Sequence, residues 1–335
     1  MDELWNRVDE LADRAPRLSD LRHHKLHLVA ASRRRAAGEA IPADLQHDER
    51  LAAAILLGAG LLMRRVRAAV PDAQIIVMKG PEAAAYWPQP RMRPWKDLDL
   101  LVEDAEAVQT ALLAAGFVEV GDPELYEDIH HLRPLALPEL PLSIEVHMRP
   151  KWPTATPPSF ATLAAAARPS TFGLEGVLAP SPAHHAVLLA AHAWEHDPLS
   201  RLSALVDVAA VTHAAGEEAA AAVAREWGVS RLWAATWRAV EDVFGSGAPR
   251  SAPIWRRHLL EARERTVFEG HVERLVGPVA AAPLPTVPGA AAKAIVNTLR
   301  PGPDEGWGEK LTRSRSALRN ASLRRSDHLE TRRPT

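Results

Sequence analysis

The hydrophobic pattern of the 335-residue chain changes period twice, and this change limits the folds that the chain can adopt. Before residue 71, apolar side chains recur three or four positions apart, as in amphipathic helices: Leu51, Ile55, Leu62 and Val66. Between residues 72 and 150 the chain instead carries short β-branched runs, the first being Ile75-Ile76-Val77, which are typical of buried strands. Helical spacing returns after Pro180. The pattern predicts an α+β protein, in which a small mixed β-sheet core is flanked by N-terminal helices and a C-terminal helical domain.

Proline clusters and shifts in composition divide the chain into five predicted segments. Four prolines between residues 150 and 158 mark the end of the sheet core, and prolines, glycines and arginines are frequent after Pro283. The predicted segments are an N-terminal helical segment at 1–71, an α/β core at 72–150, a linker at 151–180, a C-terminal helical domain at 181–282 and a flexible basic tail at 283–335. His23, His24 and His27 are predicted to lie on a solvated helix face.

Composition excludes several kinds of site. The chain has no cysteine, which excludes disulfides, thiolate zinc sites, iron–sulfur clusters and cysteine nucleophiles. Its formal net charge is −2, so no overall positive field attracts nucleic acid or an anionic membrane. No signal peptide follows Met1, and the longest apolar stretch, residues 52–63, is shorter than the roughly 20 residues that a membrane span needs. We expect a cytoplasmic protein that binds neither membrane nor nucleic acid; its oligomeric state stays open.

Three acidic residues on predicted strands form the most informative pattern. In Asp97-Leu98-Asp99-Leu100 the two aspartates project from one face, because the side chains of a strand alternate. Glu145 lies between apolar neighbours on a second predicted strand, Ile144-Glu145-Val146-His147. Converging carboxylates repel one another unless a cation lies between them, and Mg²⁺ prefers such ligands, with Mn²⁺ as an alternative. We therefore predict that Asp97, Asp99 and Glu145 are catalytic metal ligands that hold two ions about 4 Å apart. In the alternative interpretation, Asp97 caps a turn and Asp99 lies on an exposed strand face.

The order of these motifs resembles a known family. The relevant residues are Val77-Met78-Lys79-Gly80, Arg91, Arg93-Pro94, Asp97 to Val102, Gly116-Phe117, His130-His131, Ile144 to His147, Pro180, His192, His196 and Leu205-Val206-Asp207. Together they resemble the uncharacterised nucleotidyltransferase family of the polymerase-β-like superfamily, over residues 75–244. The resemblance implies a nucleotidyltransferase core at 72–150.

The resemblance implies an enzyme of the EC 2.7.7 type that moves a nucleoside monophosphate from an NTP to an acceptor and releases pyrophosphate. The acceptor is a hydroxyl or phosphate of a small molecule, peptide or protein, and tailoring of a peptide natural product is one such role. Pro81 follows Gly80 and cannot donate a backbone N–H to a phosphate. The nucleotide-binding residues are therefore predicted to be Lys79, Gly80, Arg91, Arg93, Lys96 and His147. For His147, a hydrogen-bonded strand histidine is the alternative.

Two other functions are compatible with the sequence. His192-Ala193-Trp194-Glu195-His196 matches the H-x-x-E-H pattern of inverted zinc metallopeptidases, in which two histidines four positions apart bind the metal. The departure at Pro81 also allows a non-catalytic module that binds nucleotide or a partner without turnover. The arginines of the predicted tail are expected to be solvated.

Overall fold

The structure is a computed structural model that describes residues 1–126, 129–153, 156–195, 197–248, 250–251, 253–301, 305–324 and 326–327. It confirms the predicted α+β class: one seven-stranded mixed sheet lies between two groups of helices. No helix in these ranges is both long enough and apolar enough to cross a membrane.

Four helices precede the sheet. They are α1 (Asp2–Arg14), α2 (Leu18–His23), α3 (His27–Ala36) and α4 (Ala43–Ala69). The longest, α4, buries Ile55, Leu62 and Val66 against the sheet and ends before Pro71, as its sequence period predicts.

The sheet and its connecting helices follow. In chain order they are β1 (Ile75–Val77), α5 (Pro81–Ala84), β2 (Asp97–Leu101), α6 (Ala105–Ala114), β3 (Val118–Glu119), β4 (Leu135–Ala136), β5 (Ser143–His147), α7 (Phe160–Ala165), β6 (Arg168–Pro169) and β7 (Val177–Ala179). The strand order is β3-β4-β5-β2-β1-β7-β6. The pairs β2–β5 and β1–β7 are parallel, and the other neighbours are antiparallel.

The C-terminal part of the described chain is helical. Its helices are α8 (Pro182–Glu195), α9 (Leu202–Ala215), α10 (Glu217–Glu226), α11 (Ser230–Phe244), α12 (Pro253–Leu260), α13 (Val267–Ala281), α14 (Val287–Leu299) and α15 (Trp307–Arg319). Helix α9 is buried almost all round, and it packs between α8 and α11 in the larger of two hydrophobic cores.

The two faces of the sheet contact different layers, and this positions the functional site. Leu98, Leu100 and Ile144 pack with α4 and α6 in the smaller core. Ile76, Met78 and Leu101 pack in the larger core with α8 and α9. Because strand side chains alternate, Asp99, which lies between Leu98 and Leu100, faces the C-terminal helices.

Two segments differ from the sequence-based expectation. Strands β6 and β7 lie in the range predicted as a linker, so the sheet extends beyond the boundary predicted at residue 150. These strands are two and three residues long, too short for an alternating pattern to show. Helices α14 and α15 lie in the range predicted as a flexible tail. Pro288, which reads as a helix breaker, stands in the first turn of α14, where a missing N–H costs little.

Candidate active site

Strands β2 and β5 bring the predicted carboxylates together through their parallel register. Asp99 is paired with Glu145, and Leu101 is paired with His147. Asp97, two residues before Asp99, is paired with Ser143 and lies on the same face of the sheet. Asp99 and Glu145, which are 145 − 99 = 46 positions apart in sequence, are thus placed side by side by the parallel pairing of these strands.

Asp99, Glu145 and His147 form a compact group that could hold a cation. One ligand atom from each of the three lies within 4.8 Å of the others. His147 Nε2 is 3.3 Å from Asp99 Oδ1 and 3.5 Å from Glu145 Oε2. His147 is 1% exposed, yet neither ring nitrogen is aligned for a hydrogen bond within the described part of the chain. A buried imidazole nitrogen between two carboxylate oxygens, without a hydrogen bond to either, is suited to a metal ion.

The Lys79-Gly80 turn adds an ammonium to this group. Lys79 Nζ lies 2.7 Å from Asp99 Oδ1 and 3.4 Å from His192 Nε2. Gly80 has φ +58°, and a Cβ there would lie 3.3 Å from the Asp97 carbonyl oxygen. The turn needs glycine, because an L side chain at that φ is strained and would press on β2.

Burial and neighbouring charges shift the pKa values of the group in different directions. Burial alone would raise the pKa of Asp99, but the Lys79 ammonium and the adjacent His147 ring hold it well below its usual value. Burial would also raise the pKa of Glu145, but the adjacent His147 ring lowers it below its usual value. The pKa of Asp97 is raised by burial and by the negative charge of Asp99. Burial would lower the pKa of His147, but the oxygens of Asp99 and Glu145 raise it. Asp99 and Glu145 are therefore anionic at neutral pH, as metal ligands must be, and a metal ion bound at His147 would displace the proton that the two carboxylates favour there.

His131 contributes a second imidazole beside Glu145. Its Nδ1 lies 2.7 Å from the Leu132 carbonyl oxygen, which can only accept, so Nδ1 carries the proton. Its Nε2 lies 3.6 Å from Glu145 Oε2. Burial lowers the pKa of His131, so the ring is neutral at neutral pH and Nε2 directs a lone pair toward a carboxylate. A cation between the two atoms would relieve that repulsion.

Arg93, one of the predicted phosphate-binding residues, is held by Asp207 on α9. Arg93 Nε and Nη2 donate to the two carboxylate oxygens of Asp207 over 2.8 Å each. Trp87 Nε1 donates to the same carboxylate over 2.8 Å. The guanidinium charge is thus neutralised by a bidentate ion pair at the boundary between the sheet and the helices.

These residues line a cleft of about 690 Å³ between the sheet and helices α8 and α9. Among the described lining residues are seven basic side chains: Lys25, Lys79, Arg93, Lys96, Arg149, Lys151 and Arg201. Five are acidic: Asp97, Asp99, Glu145, Asp197 and Asp207. Burial and the nearby Lys79 lower the pKa of Lys151 to about 8, which reflects the crowding of positive charge in the cleft.

Most of the residues singled out from the sequence meet in this cleft, with two exceptions. Lys79, Gly80, Arg93, Lys96, Asp97, Asp99 and Glu145 line it. His147 lies buried between the carboxylates rather than on the surface of the cleft. Arg91 lines a different pocket, beside Arg35 and Glu49 of the N-terminal helices.

Sequence reasoning missed four basic residues of the cleft. Arg149 and Lys151 directly follow β5, so their position at the end of a strand that carries Glu145 was a usable signal. Lys25 and Arg201 come from connections between helices, and no periodicity pointed to them. The expectation that His24 is solvated is wrong: the residue is fully buried, because its ring fills a gap between α9 and the carbonyl of Arg263.

The zinc-peptidase motif lies partly outside the described residues. His196 is not among them, and the position of the Glu195 side chain is not described either. His192 is placed on α8 with Nε2 facing the Lys79 ammonium. Burial and the positive charges of Lys79 and Lys151 hold the pKa of His192 well below its usual value. A nitrogen that faces an ammonium group is poorly placed to bind Zn²⁺ as well.

Comparison with known proteins gives one match. A family model described as uncharacterised nucleotidyltransferase matches residues 16–245, a range that contains every described lining residue of the cleft. Neither a curated protein nor a solved structure matches the chain.

Proposed function

Because the chain belongs to the family of uncharacterised nucleotidyltransferases, we propose that it transfers a nucleoside monophosphate from an NTP to a hydroxyl or phosphate acceptor. The proposed reaction depends on Mg²⁺ or Mn²⁺ and releases pyrophosphate. Small molecules, peptides and proteins all remain acceptor classes.

The observation that carries the proposal is the pairing of Asp99 with Glu145 across two parallel strands, with His147 two residues further along. Two carboxylates whose ligand atoms lie within 4.8 Å of each other repel strongly in a buried setting. The sheet fixes them there nevertheless, on the floor of a cleft large enough for a nucleotide. Such an arrangement supports cation binding better than a purely structural role.

Asp99, Glu145 and His147 would hold the metal ion. One imidazole with two carboxylates suits Mn²⁺ as well as Mg²⁺, because imidazole is a softer ligand than oxygen. A divalent ion bound there supplies a Lewis acid that neutralises phosphate charge and lowers the pKa of an acceptor hydroxyl. Asp97 lines the cleft beside Asp99, so a second ion would have these two carboxylates as ligands.

The residues of the cleft would position the reactants for an in-line displacement. The acceptor oxygen bonds to the α-phosphorus while the bond from that phosphorus to the β-phosphate oxygen breaks. Pyrophosphate leaves, and a hydroxyl acceptor loses its proton to solvent. Lys79 keeps Asp99 anionic, and the basic side chains of the cleft stabilise charge on the phosphates. Positioning and electrostatics therefore supply most of the acceleration.

Label transfer from each α-³²P-labelled NTP to components of a cell lysate, in the presence of Mg²⁺ or Mn²⁺, tests this proposal. We expect one NTP to label an acceptor, and we expect Asp99→Asn and Glu145→Gln each to reduce labelling by at least about 100-fold. Glu139→Gln is the matched control, since it removes an exposed carboxylate from the loop between β4 and β5. Equal labelling by the wild type and both site variants would disprove the proposed roles of these residues.

Two measurements separate the remaining alternatives: Mn²⁺ binding measured by electron paramagnetic resonance, and the zinc content of the purified protein. Nucleotide-dependent Mn²⁺ binding without label transfer would indicate a module that binds nucleotide but does not turn it over. Stoichiometric zinc in the purified protein that is lost in His192→Ala would instead indicate the metallopeptidase.

A further inference from the structure

Two basic residues from outside the sheet, Lys25 and Arg201, line the same cleft as the carboxylates. We propose that they form a clamp for the terminal phosphates of a nucleoside triphosphate. The inference rests on the proposed function in one respect only, namely that the ligand is a nucleotide. The chemistry of the clamp itself requires only a polyphosphate chain.

Of the four cations expected from the sequence to bind phosphate, two are neutralised by protein carboxylates, and Lys96 lines the cleft at an exposed position. Lys79 lies 2.7 Å from Asp99, and Arg93 forms a bidentate pair with Asp207. Arg91 lines a different pocket. Because Pro81 also removes a backbone donor after Gly80, a triphosphate needs other partners in the cleft.

Lys25 and Arg201 supply positive charge that no carboxylate neutralises directly. Within the described ranges of the chain, neither side chain forms a hydrogen bond or an ion pair with an acidic residue. Burial and the charges of Arg93 and Arg201 lower the pKa of Lys25 to about 8, and the weaker attraction of Asp97 and Asp207 does not offset them. Cations held together in this way repel one another, and a bound polyanion would remove that repulsion.

The backbone at Lys25 supports a functional role. Its φ is +56°, a left-handed conformation that costs an L residue about 1 kcal/mol and that glycine or asparagine would adopt more readily. Lysine at this position directs an ammonium group into the cleft instead. Strain of this kind is kept where the surrounding structure enforces it.

The hydrogen bonds that hold the backbone at Lys25 in this conformation join the two segments that carry Lys25 and Arg201. The backbone N–H of Leu202 donates to His24 Nδ1 over 3.1 Å, and the N–H of Ser203 donates to the His24 carbonyl over 3.2 Å. His24 Nε2 donates to the carbonyl of Arg263 over 2.9 Å. Lys25 follows His24 and Arg201 precedes Leu202, so these bonds hold together the two segments from which both cationic residues line the cleft.

The test measures binding of inorganic tripolyphosphate and orthophosphate to the full chain by isothermal titration calorimetry. We expect tripolyphosphate to bind more tightly than orthophosphate. Lys25→Asn and Arg201→Gln should each weaken tripolyphosphate binding by about tenfold, the size of one lost charge-assisted hydrogen bond. Asparagine suits the left-handed backbone, so Lys25→Asn removes the charge with little strain.

Two controls isolate the charge at the clamp. Lys25→Arg keeps the cation and should keep most of the affinity for tripolyphosphate. Arg225→Gln removes an exposed cation on α10 that does not line the cleft, and its affinity should equal that of the wild type. If Lys25→Asn fails to fold, Arg201→Gln alone decides the outcome, because Arg201 is exposed at the entrance to α9.

The outcomes separate this inference from the proposed function. Loss of tripolyphosphate binding in the clamp variants supports the clamp, even if no NTP labels an acceptor. Unchanged affinity in the variants, or a wild type that does not bind tripolyphosphate, overturns the clamp. In that case label transfer by the wild type still decides whether the protein is a nucleotidyltransferase.

Discussion

At the scale of the residue, the buried carboxylate of Asp207 both neutralises the Arg93 guanidinium and binds the Trp87 indole. It accepts hydrogen bonds from two nitrogens of Arg93, Nε and Nη2, and from the Trp87 indole. Arg93 stays charged, because Asp207 outweighs the effect of burial and raises its pKa. The pair joins the loop before β2 to α9, and in this way fixes one wall of the cleft.

We expect Asp207→Asn to lower the free energy of unfolding by about 3 kcal/mol, because it leaves the buried Arg93 charge without its partner. Trp87→Phe should cost less in lost hydrogen bonding, about 1 kcal/mol. Denaturant-induced unfolding measures both values. Asp72→Asn, at an exposed position after α4, is the control and should leave stability unchanged. A loss in Asp207→Asn no larger than in this control would contradict the assignment.

Strand alternation was sufficient to place Asp97 and Asp99 on one face from sequence, and the apolar neighbours of Glu145 placed that residue on the polar face of a second strand. Strand alternation was not sufficient to show which side chains surround these carboxylates. His131 lies beside Glu145 because its backbone pairs with that of His147 in an isolated bridge, which no local pattern reveals. Lys79 was expected to bind phosphate, but its ion pair with Asp99 depends on the direction of the Gly80 turn. Contacts between distant segments decide such details, and a single sequence does not encode them visibly.

At the scale of the element, one carboxylate adds a side-chain link between the hairpin of β6 and β7 and the helix beside the site. Glu82, on the short helix α5, is fully buried. It accepts hydrogen bonds from Ser170 Oγ over 2.6 Å and from the backbone N–H of Thr171 over 2.8 Å, and it pairs with Arg168. The edge of the sheet is thereby connected to the helix that follows the Lys79-Gly80 turn.

We expect Glu82→Gln to destabilise the hairpin by about 3 kcal/mol, since one acceptor oxygen becomes a donor that faces other donors. Native-state hydrogen exchange should show faster exchange at Ser170, whose N–H bonds to the Val177 carbonyl. Glu175→Gln, an exposed change within the same hairpin, is the matched control and should leave exchange at Ser170 unaltered. Similar exchange in both variants would show that Glu82 does not hold the hairpin.

Element prediction from sequence succeeded where segments are long and failed where they are short. Helix α4 and strand β2 carry enough periodic positions to define their buried faces. Strand β7 has three residues, and its place in the sheet depends on parallel pairing with β1, which lies a hundred residues earlier. Pairing at that distance leaves no local trace, so the segment was interpreted as a linker.

At the scale of the whole molecule, His24 connects the N-terminal helices to both α9 and the segment after α12. The ring is buried, and burial, together with the adjacent His23, lowers the pKa of His24 to about 3. The folded protein therefore holds this ring neutral over most of the accessible pH range.

We expect this ring to make stability depend on pH below neutrality. The unfolded chain protonates the ring from about pH 6.5 downward, whereas the folded chain resists protonation to about pH 3. Stability from this residue is thus complete above pH 6.5 and falls as the pH decreases, by about 2 kcal/mol at pH 5. Urea unfolding of wild type and His24→Gln across pH 5 to 7 measures the difference in slope. His213→Gln, at an exposed position, should keep the wild-type slope, and an unchanged slope in His24→Gln would refute the role of His24.

The separation of Lys25 and Arg201 from the sheet has a consequence for protein engineering. Neither position lies on the strands that carry Asp99 and Glu145. If Lys25 and Arg201 bind the terminal phosphates as proposed, a library confined to positions 25 and 201 would vary the length of phosphate chain that the protein accepts without altering the strands of the carboxylates. Selection between nucleoside diphosphates and triphosphates could then be evolved without redesigning the fold.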